Sequence, residues 1–132
     1  MQVRRFSLLT VLALTLVVVL AACGGGGSSS GGGGAASGRT INVEATEFAF
    51  NPNSFTGKVG EQITFKVTNK GTVDHNFVIL TPDGSKELAN MTIKVGASNS
   101  LNFTPPSAGD YQIDCNIAGH KEAGMVGKLS VK

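Results

Sequence analysis

Histidine and cysteine are scarce: two of each among 132 residues. That supply can furnish one site and leaves no spare histidine for a second metal centre. A hydrolase pairing a cysteine with a histidine would also need a group to orient the base and an oxyanion-binding loop, and neither is identifiable. Lysine and arginine form no patch or stripe, which argues against a nucleic-acid ligand. No apolar pattern of helical period runs for a dozen residues of the presumed domain, so a helical fold is excluded there.

Long apolar runs are confined to the N-terminal end. Arg4 and Arg5 precede the apolar stretch Phe6 to Leu20, the layout of an export signal. The four residues Leu20-Ala21-Ala22-Cys23 resemble the lipobox of bacterial lipoproteins. That resemblance implies removal of residues 1–22 and a lipid on Cys23. Read instead as an uncleaved span, Phe6 to Cys23 sits at the lower length limit for crossing a bilayer, and it too would tether the chain outside the cytoplasm. Arg4-Arg5 fits a twin-arginine signal only in part, so general secretion is expected. Gly24 to Gly38 consists wholly of glycine, serine and alanine. It cannot bury apolar surface, and residues 23–38 are read as a lipidated, flexible tether reaching about 20 Å.

The folded part is then residues 39–132, one domain. With Arg4 and Arg5 gone, nine cationic side chains balance nine carboxylates. With Cys23 lipidated, Cys115 has no disulfide partner, and a lone thiol in an oxidising compartment is inert, catalytic or bound to metal.

Within 39–132 the pattern is one of short strands. Ile41, Val43 and Ala45 alternate with polar neighbours, as do Ile63, Phe65 and Val67. Asn76 to Leu80 is nearly continuous in apolar residues, as for a strand buried on both faces. Tyr111, Ile113 and Cys115 share one face of a strand and Gln112 and Asp114 the other. Met91 sits mid-strand and reads as core. Thr81-Pro82-Asp83-Gly84 is a turn signal, and Leu129 and Val131 close the chain. The spacing predicts an all-β fold, a Greek-key sandwich or barrel of seven or eight strands. A short helix is allowed only over Lys86–Asn90.

The chemistry concentrates between Cys115 and Met125, where Cys115, His120 and Met125 are separated by four residues each. Thiolate, imidazole and thioether are soft or borderline ligands, and a His2Cys set with a weak axial Met is the pattern of a blue-copper electron-transfer site. The loop lacks one imidazole, and His75 is the sole candidate. It lies at the start of one expected strand and Cys115 at the end of another, and strand ends of a sandwich cluster at its poles.

The run Gly109 to Cys115, then Gly119-His120, Ala123-Gly124-Met125 and Gly127 to Val131 resembles the cupredoxins, the small blue copper proteins. Asp74-His75-Asn76-Phe77 and Val59 to Phe65 carry the resemblance upstream. The loop spacing is nearest the auracyanin type. By this resemblance His75, Cys115 and His120 are equatorial copper ligands and Met125 the axial one. Asn76 would steady the ligand loop and donate to the thiolate, and Tyr111 would pack and hydrogen-bond near the start of the cysteine strand. The outer edge of His120 would be the electron port, ringed by Ile117, Ala118, Gly119 and Ala123, with Lys121 and Glu122 as a solvated rim. Ala118 departs from the proline common at that position, so its φ is not pinned.

The resemblance implies a monomeric, non-enzymatic carrier of single electrons, meeting donor and acceptor proteins transiently near His120. Lipid on Cys23 would hold it in the periplasm or on the outer face of the cell membrane. A copper oxidase or nitrite reductase needs further histidines, and a binuclear copper centre needs two bridging cysteines. The alternative is an extracytoplasmic protein that sequesters or delivers copper, which the ligand set alone does not separate from an electron carrier.

Overall fold

The computed structural model describes residues 38–132. The export signal, Cys23 and all of the tether but Gly38 lie outside those residues. Among the described residues there are nine strands and no helix: β1 (Arg39–Thr46), β2 (Ala49–Asn51), β3 (Ser54–Gly57), β4 (Ile63–Asn69), β5 (His75–Leu80), β6 (Glu87–Ile93), β7 (Ser98–Phe103), β8 (Gly109–Asp114) and β9 (Val126–Val131).

They form two sheets, β2-β1-β4-β7 and β3-β9-β8-β5-β6. β1 runs parallel to β4, and β3 parallel to β9, while the other neighbours are antiparallel. The expected all-β sandwich is thus observed. Its strand number exceeds expectation because residues 49–57 serve both sheets. β2 pairs with β1 and β3 with β9, so the chain crosses from one sheet to the other at Pro52-Asn53, where proline cannot donate to a ladder.

The short helix allowed over Lys86–Asn90 is not formed. Glu87 to Asn90 instead begin β6, which pairs antiparallel with β5. The register jumps from Ile79↔Ala89 to Leu80↔Glu87, so Leu88 is an extra residue on β6. Such a bulge breaks the two-residue alternation locally, which is why the first half of the strand does not show in the sequence, whereas Met91, mid-strand and core by the sequence pattern, lies in its second half and is buried.

Strand alternation builds the core. Ile63, Phe65 and Val67 of β4 and Val43 and Ala45 of β1 face Phe77 and Ile79 of β5, Tyr111 and Ile113 of β8 and Leu129 and Val131 of β9, all buried. Phe50, Phe55, Phe65 and Phe77 stack through the middle with centroids 5.1–6.4 Å apart. Each buried phenylalanine contributes about 1.5–3 kcal/mol from removal of apolar surface, and edge-on ring pairs add about 0.5–1.5 kcal/mol. Tyr111 packs edge-on against Phe103, and its hydroxyl donates to Ser107 O at 2.8 Å. That hydroxyl braces the turn before β8. Tyr111 precedes Cys115 by four residues, about 13 Å along an extended strand, and the hydrogen bonds of its hydroxyl go to Ser107 alone.

The site follows from one adjacency. β5 and β8 are antiparallel neighbours in the register Val78↔Asp114. The beginning of β5, with His75, therefore lies beside the end of β8, where Cys115 follows. β8 and β9 pair up to Asp114↔Val126, so residues 115–125 form the hairpin loop at the same pole.

Candidate metal centre

Backbone bonds close the loop at its neck. Cys115 N–H donates to Met125 O at 3.1 Å, and Met125 N–H to His120 O at 3.0 Å. Between them the chain makes tight turns, Ala123 N–H to Gly119 O and Gly124 N–H to Lys121 O. Gly119 and Gly124 have φ of +85° and +105°, the left-handed region in which glycine carries no Cβ penalty. These turns carry His120 back over the sheet.

His75, Cys115 and His120 offer ligand atoms that all lie within 4.8 Å of one another. His75 Nδ1 and His120 Nδ1 face each other at 3.3 Å, and His120 Nδ1 is 3.4 Å from Cys115 Sγ. His75, Cys115 and Met125 have no solvent exposure, and His120 is 9% exposed. Asn76, next to His75, donates its N–H to Cys115 Sγ at 3.3 Å. Its side chain donates to Asn116 Oδ1 at 2.6 Å and accepts from the Thr92 hydroxyl, tying the two ligand-bearing segments together.

Four contributors carry no signal of their role in the sequence. Asn69, at the end of β4, is buried. Its Nδ2 donates to Val73 O at 2.7 Å and Ile93 O at 3.1 Å, and its Oδ1 accepts from Gly71 N at 2.9 Å. It fastens the turn that delivers His75. Glu47 Oε1 accepts from Thr72 N, Thr72 Oγ1 and Val73 N in that turn and lies 4.0 Å from His75 Nε2. Phe48 sets its ring edge-on to His120, centroids 4.8 Å apart, and is 39% exposed. Asp114 is buried on the outer face of β8 and accepts from Lys121 Nζ at 2.6 Å. Lys121 is therefore anchored to the sheet at the loop's base, whereas Ala118, Gly119 and Ala123 are exposed around His120.

Burial, and then the neighbouring His120, hold the His75 imidazole below its usual pKa, opposed by Glu47 and Asp74. The neutral ring is favoured, and a neutral ring is a ligand. Glu47 is held below the carboxylate range chiefly by the Thr72 N–H, so it is charged.

The donor set fits copper. Two imidazoles, a thiol and a thioether gathered without solvent suit the Cu(I)/Cu(II) couple better than hard cations, which take oxygen ligands. Two ring nitrogens aimed at each other, with a thiol beside them, leave lone pairs converging on one point. Residues 10–131 match the family model of the cupredoxin-like domain. The chain belongs to the cupredoxin-like family.

A copper-resistant cuproprotein, CopI, of Rubrivivax gelatinosus is 31% identical over 110 residues, covering 71% of this chain and 67% of that protein. Plastocyanin of Mercurialis perennis is 34% identical over 92 residues, covering 64% of this chain and 89% of the relative. Reduced auracyanin of the photosynthetic bacterium Roseiflexus castenholzii superposes with a TM-score of 0.64 at 25% identity, over 70% of this chain and 96% of that one. In this cupredoxin His75, Cys115, His120 and Met125 are arranged as a blue copper site, and proteins of the family bind one copper ion.

Proposed function

We propose that this cupredoxin is a one-electron carrier held outside the cytoplasm by lipid on Cys23, with His75, Cys115 and His120 as equatorial copper ligands and Met125 as the axial one. The observation that carries the proposal is the convergence of His75 Nδ1, His120 Nδ1 and Cys115 Sγ at a buried pole of the sandwich, with only His120 reaching slight solvent exposure. Copper bound in such a set supplies a Cu(I)/Cu(II) couple.

The work of the protein is to keep the donors still. His75 is held by the Asn69 and Glu47 bonds of its turn, Cys115 by Asn76 N–H and the loop neck, and His120 by its bonds to Ile117 O and Met125 N. Donors fixed in advance need little rearrangement between oxidation states. The Asn76 N–H also draws charge from the sulfur, which tunes the couple. Electrons leave at the His120 edge, beside the exposed ring of Phe48 and a rim of small residues. That surface suits brief encounters with redox proteins, and the balanced charge of residues 39–132 gives weak long-range steering. Removal of residues 1–22 leaves a tether, residues 23–38, with a reach of about 20 Å for a monomeric domain moving between partners at the membrane.

A second reading has one observation in its favour: the relative CopI is named for copper resistance. A copper-handling protein should surrender its ion to a competing chelator, whereas an electron carrier should keep it through repeated redox cycles. The deciding experiment adds Cu(II) to the purified chain. An intense blue thiolate-to-copper absorption, lost in Cys115→Ser, with a reversible redox couple, is the expected result. A colourless protein that takes zinc equally well would overturn the assignment.

A further inference from the structure

The inner ligand histidine poses a problem that the copper site does not solve by itself. A neutral imidazole that gives its Nδ1 lone pair to a metal must carry its proton on Nε2. In His75 that nitrogen is buried and has no hydrogen-bond partner. A donor left unpaired in a buried place is costly. A carboxylate oxygen, Glu47 Oε1, lies 4.0 Å from it, within the range of about 4–6 Å over which a charge acts strongly on a titratable group. The other nearby carboxylate, Asp74, is taken up by Lys94 Nζ at 2.7 Å and Val95 N at 3.1 Å.

Glu47 is seated, not wandering. Its Oε1 is pinned by Thr72 N at 2.5 Å and Val73 N at 3.2 Å. A Cβ on Gly71 would run into the same carboxylate, so a glycine at that place leaves the room Glu47 occupies. The side chain is 34% exposed, while the ring it faces is fully covered. The negative charge thus sits at the rim, 4.0 Å from the covered ring of His75.

We propose that Glu47 is a positioning residue for the metal centre: its carboxylate receives the Nε2–H side of His75, presents Nδ1 to the metal, and favours the more positively charged, oxidised state. This rests on the copper assignment above. The physical ground is that a carboxylate behind a ligating imidazole fixes its tautomer and makes it a stronger donor, and loss of such a partner costs about 10–100-fold in metal affinity. Cu(II) carries one more positive charge than Cu(I), so it gains more from that partner.

Two measurements test it on the full chain. In the copper-loaded protein, Glu47→Gln keeps an oxygen for the Thr72 and Val73 N–H groups and removes the charge. The ratio of Cu(II) to Cu(I) affinity should fall about tenfold, a rise in reduction potential of about 59 mV for one electron. Glu44→Gln, which removes the same charge from an exposed position on β1, should leave the potential at the wild-type value. Equal potentials in wild type and Glu47→Gln, or equal shifts in both variants, would overturn the proposal and leave Glu47 a mere anchor of the turn. In the metal-free protein, nitrogen-15 imidazole spectra should show His75 as the Nε2–H tautomer, with the Nδ1–H form appearing in Glu47→Ala. A wild-type Nδ1–H ring, or a tautomer unmoved by Glu47→Ala, would also refute it. This second measurement judges Glu47 even if no blue site forms, in which case it is the copper assignment that fails.

Discussion

Replacing Asn69 by alanine should loosen the whole ligand pole, and its effect can be worked from three hydrogen bonds. The change removes the Nδ2 donations to Val73 O and Ile93 O and the Oδ1 acceptance from Gly71 N. Each such bond contributes about 1 kcal/mol net. The Ile93 bond is buried, so its carbonyl is left without a partner. Val73 is 41% exposed, and water can replace part of what its carbonyl loses. The backbone bond from Asn69 N to Ala97 O at 2.9 Å is untouched. The expected loss is about 2–3 kcal/mol. For a domain of this size that corresponds to a fall in Tm of about 10–20 °C. Urea unfolding of the metal-free protein should show a lower midpoint with an unchanged slope, and copper should dissociate faster, since the turn delivers His75. Asn69→Asp should fare no better, because a carboxylate can still accept from Gly71 but cannot donate to the two carbonyls. A loss below about 0.5 kcal/mol, the range of an ordinary surface change, would refute the reasoning.

Two further outcomes follow from charges outside the metal pocket. Lys121→Met should cost more than Asp114→Asn. The first strands a carboxylate that is 5% exposed, at about 2–3 kcal/mol, whereas the second frees a half-exposed ammonium to water, at about 1 kcal/mol or less. Thermal unfolding of both variants decides the order, and the reverse order would sink the argument. Asp83 accepts from the Thr81 hydroxyl and from the Ser85 N–H and hydroxyl, and these, Thr81 first, hold its carboxyl below the usual range. A lowered folded-state pKa gives stability that is present above about pH 3.9 and lost as pH falls through the folded value. Asp83→Asn should therefore flatten the acid side of the stability curve, and an unchanged slope there would count against it.

The parts of this protein legible in the sequence are those written in local periods and spacings. Alternation in β1, β4 and β8 marks which side chains face inward, because successive side chains of a strand point to opposite faces. The interval from Cys115 through His120 to Met125 is local too, and it marks a donor set suited to copper before any fold is known, because donor softness is a property of the residues. The first half of β6 escaped since a bulge at Leu88 interrupts its alternation, and the split of residues 49–57 into β2 and β3 shows only once two sheets exist to share them.

What tertiary structure decided is who stands behind the ligands. Glu47 and His75 are far apart in the chain, as are Asn69 and Ile93, and Asp114 is buried because Lys121 folds back over it. Nothing in the neighbours of Glu47 along the chain marks it as different from Glu44. Composition determined that one soft-donor site was available and that His75 had to complete it. The antiparallel register of β5 against β8 decided that His75 could reach Cys115, and the turn between β1 and β2 decided that a carboxylate would face its outer nitrogen. The physical reason is range. Donor chemistry and strand alternation act over a few residues, whereas burial, charge and hydrogen bonding act across space, and only the packed sandwich sets those distances.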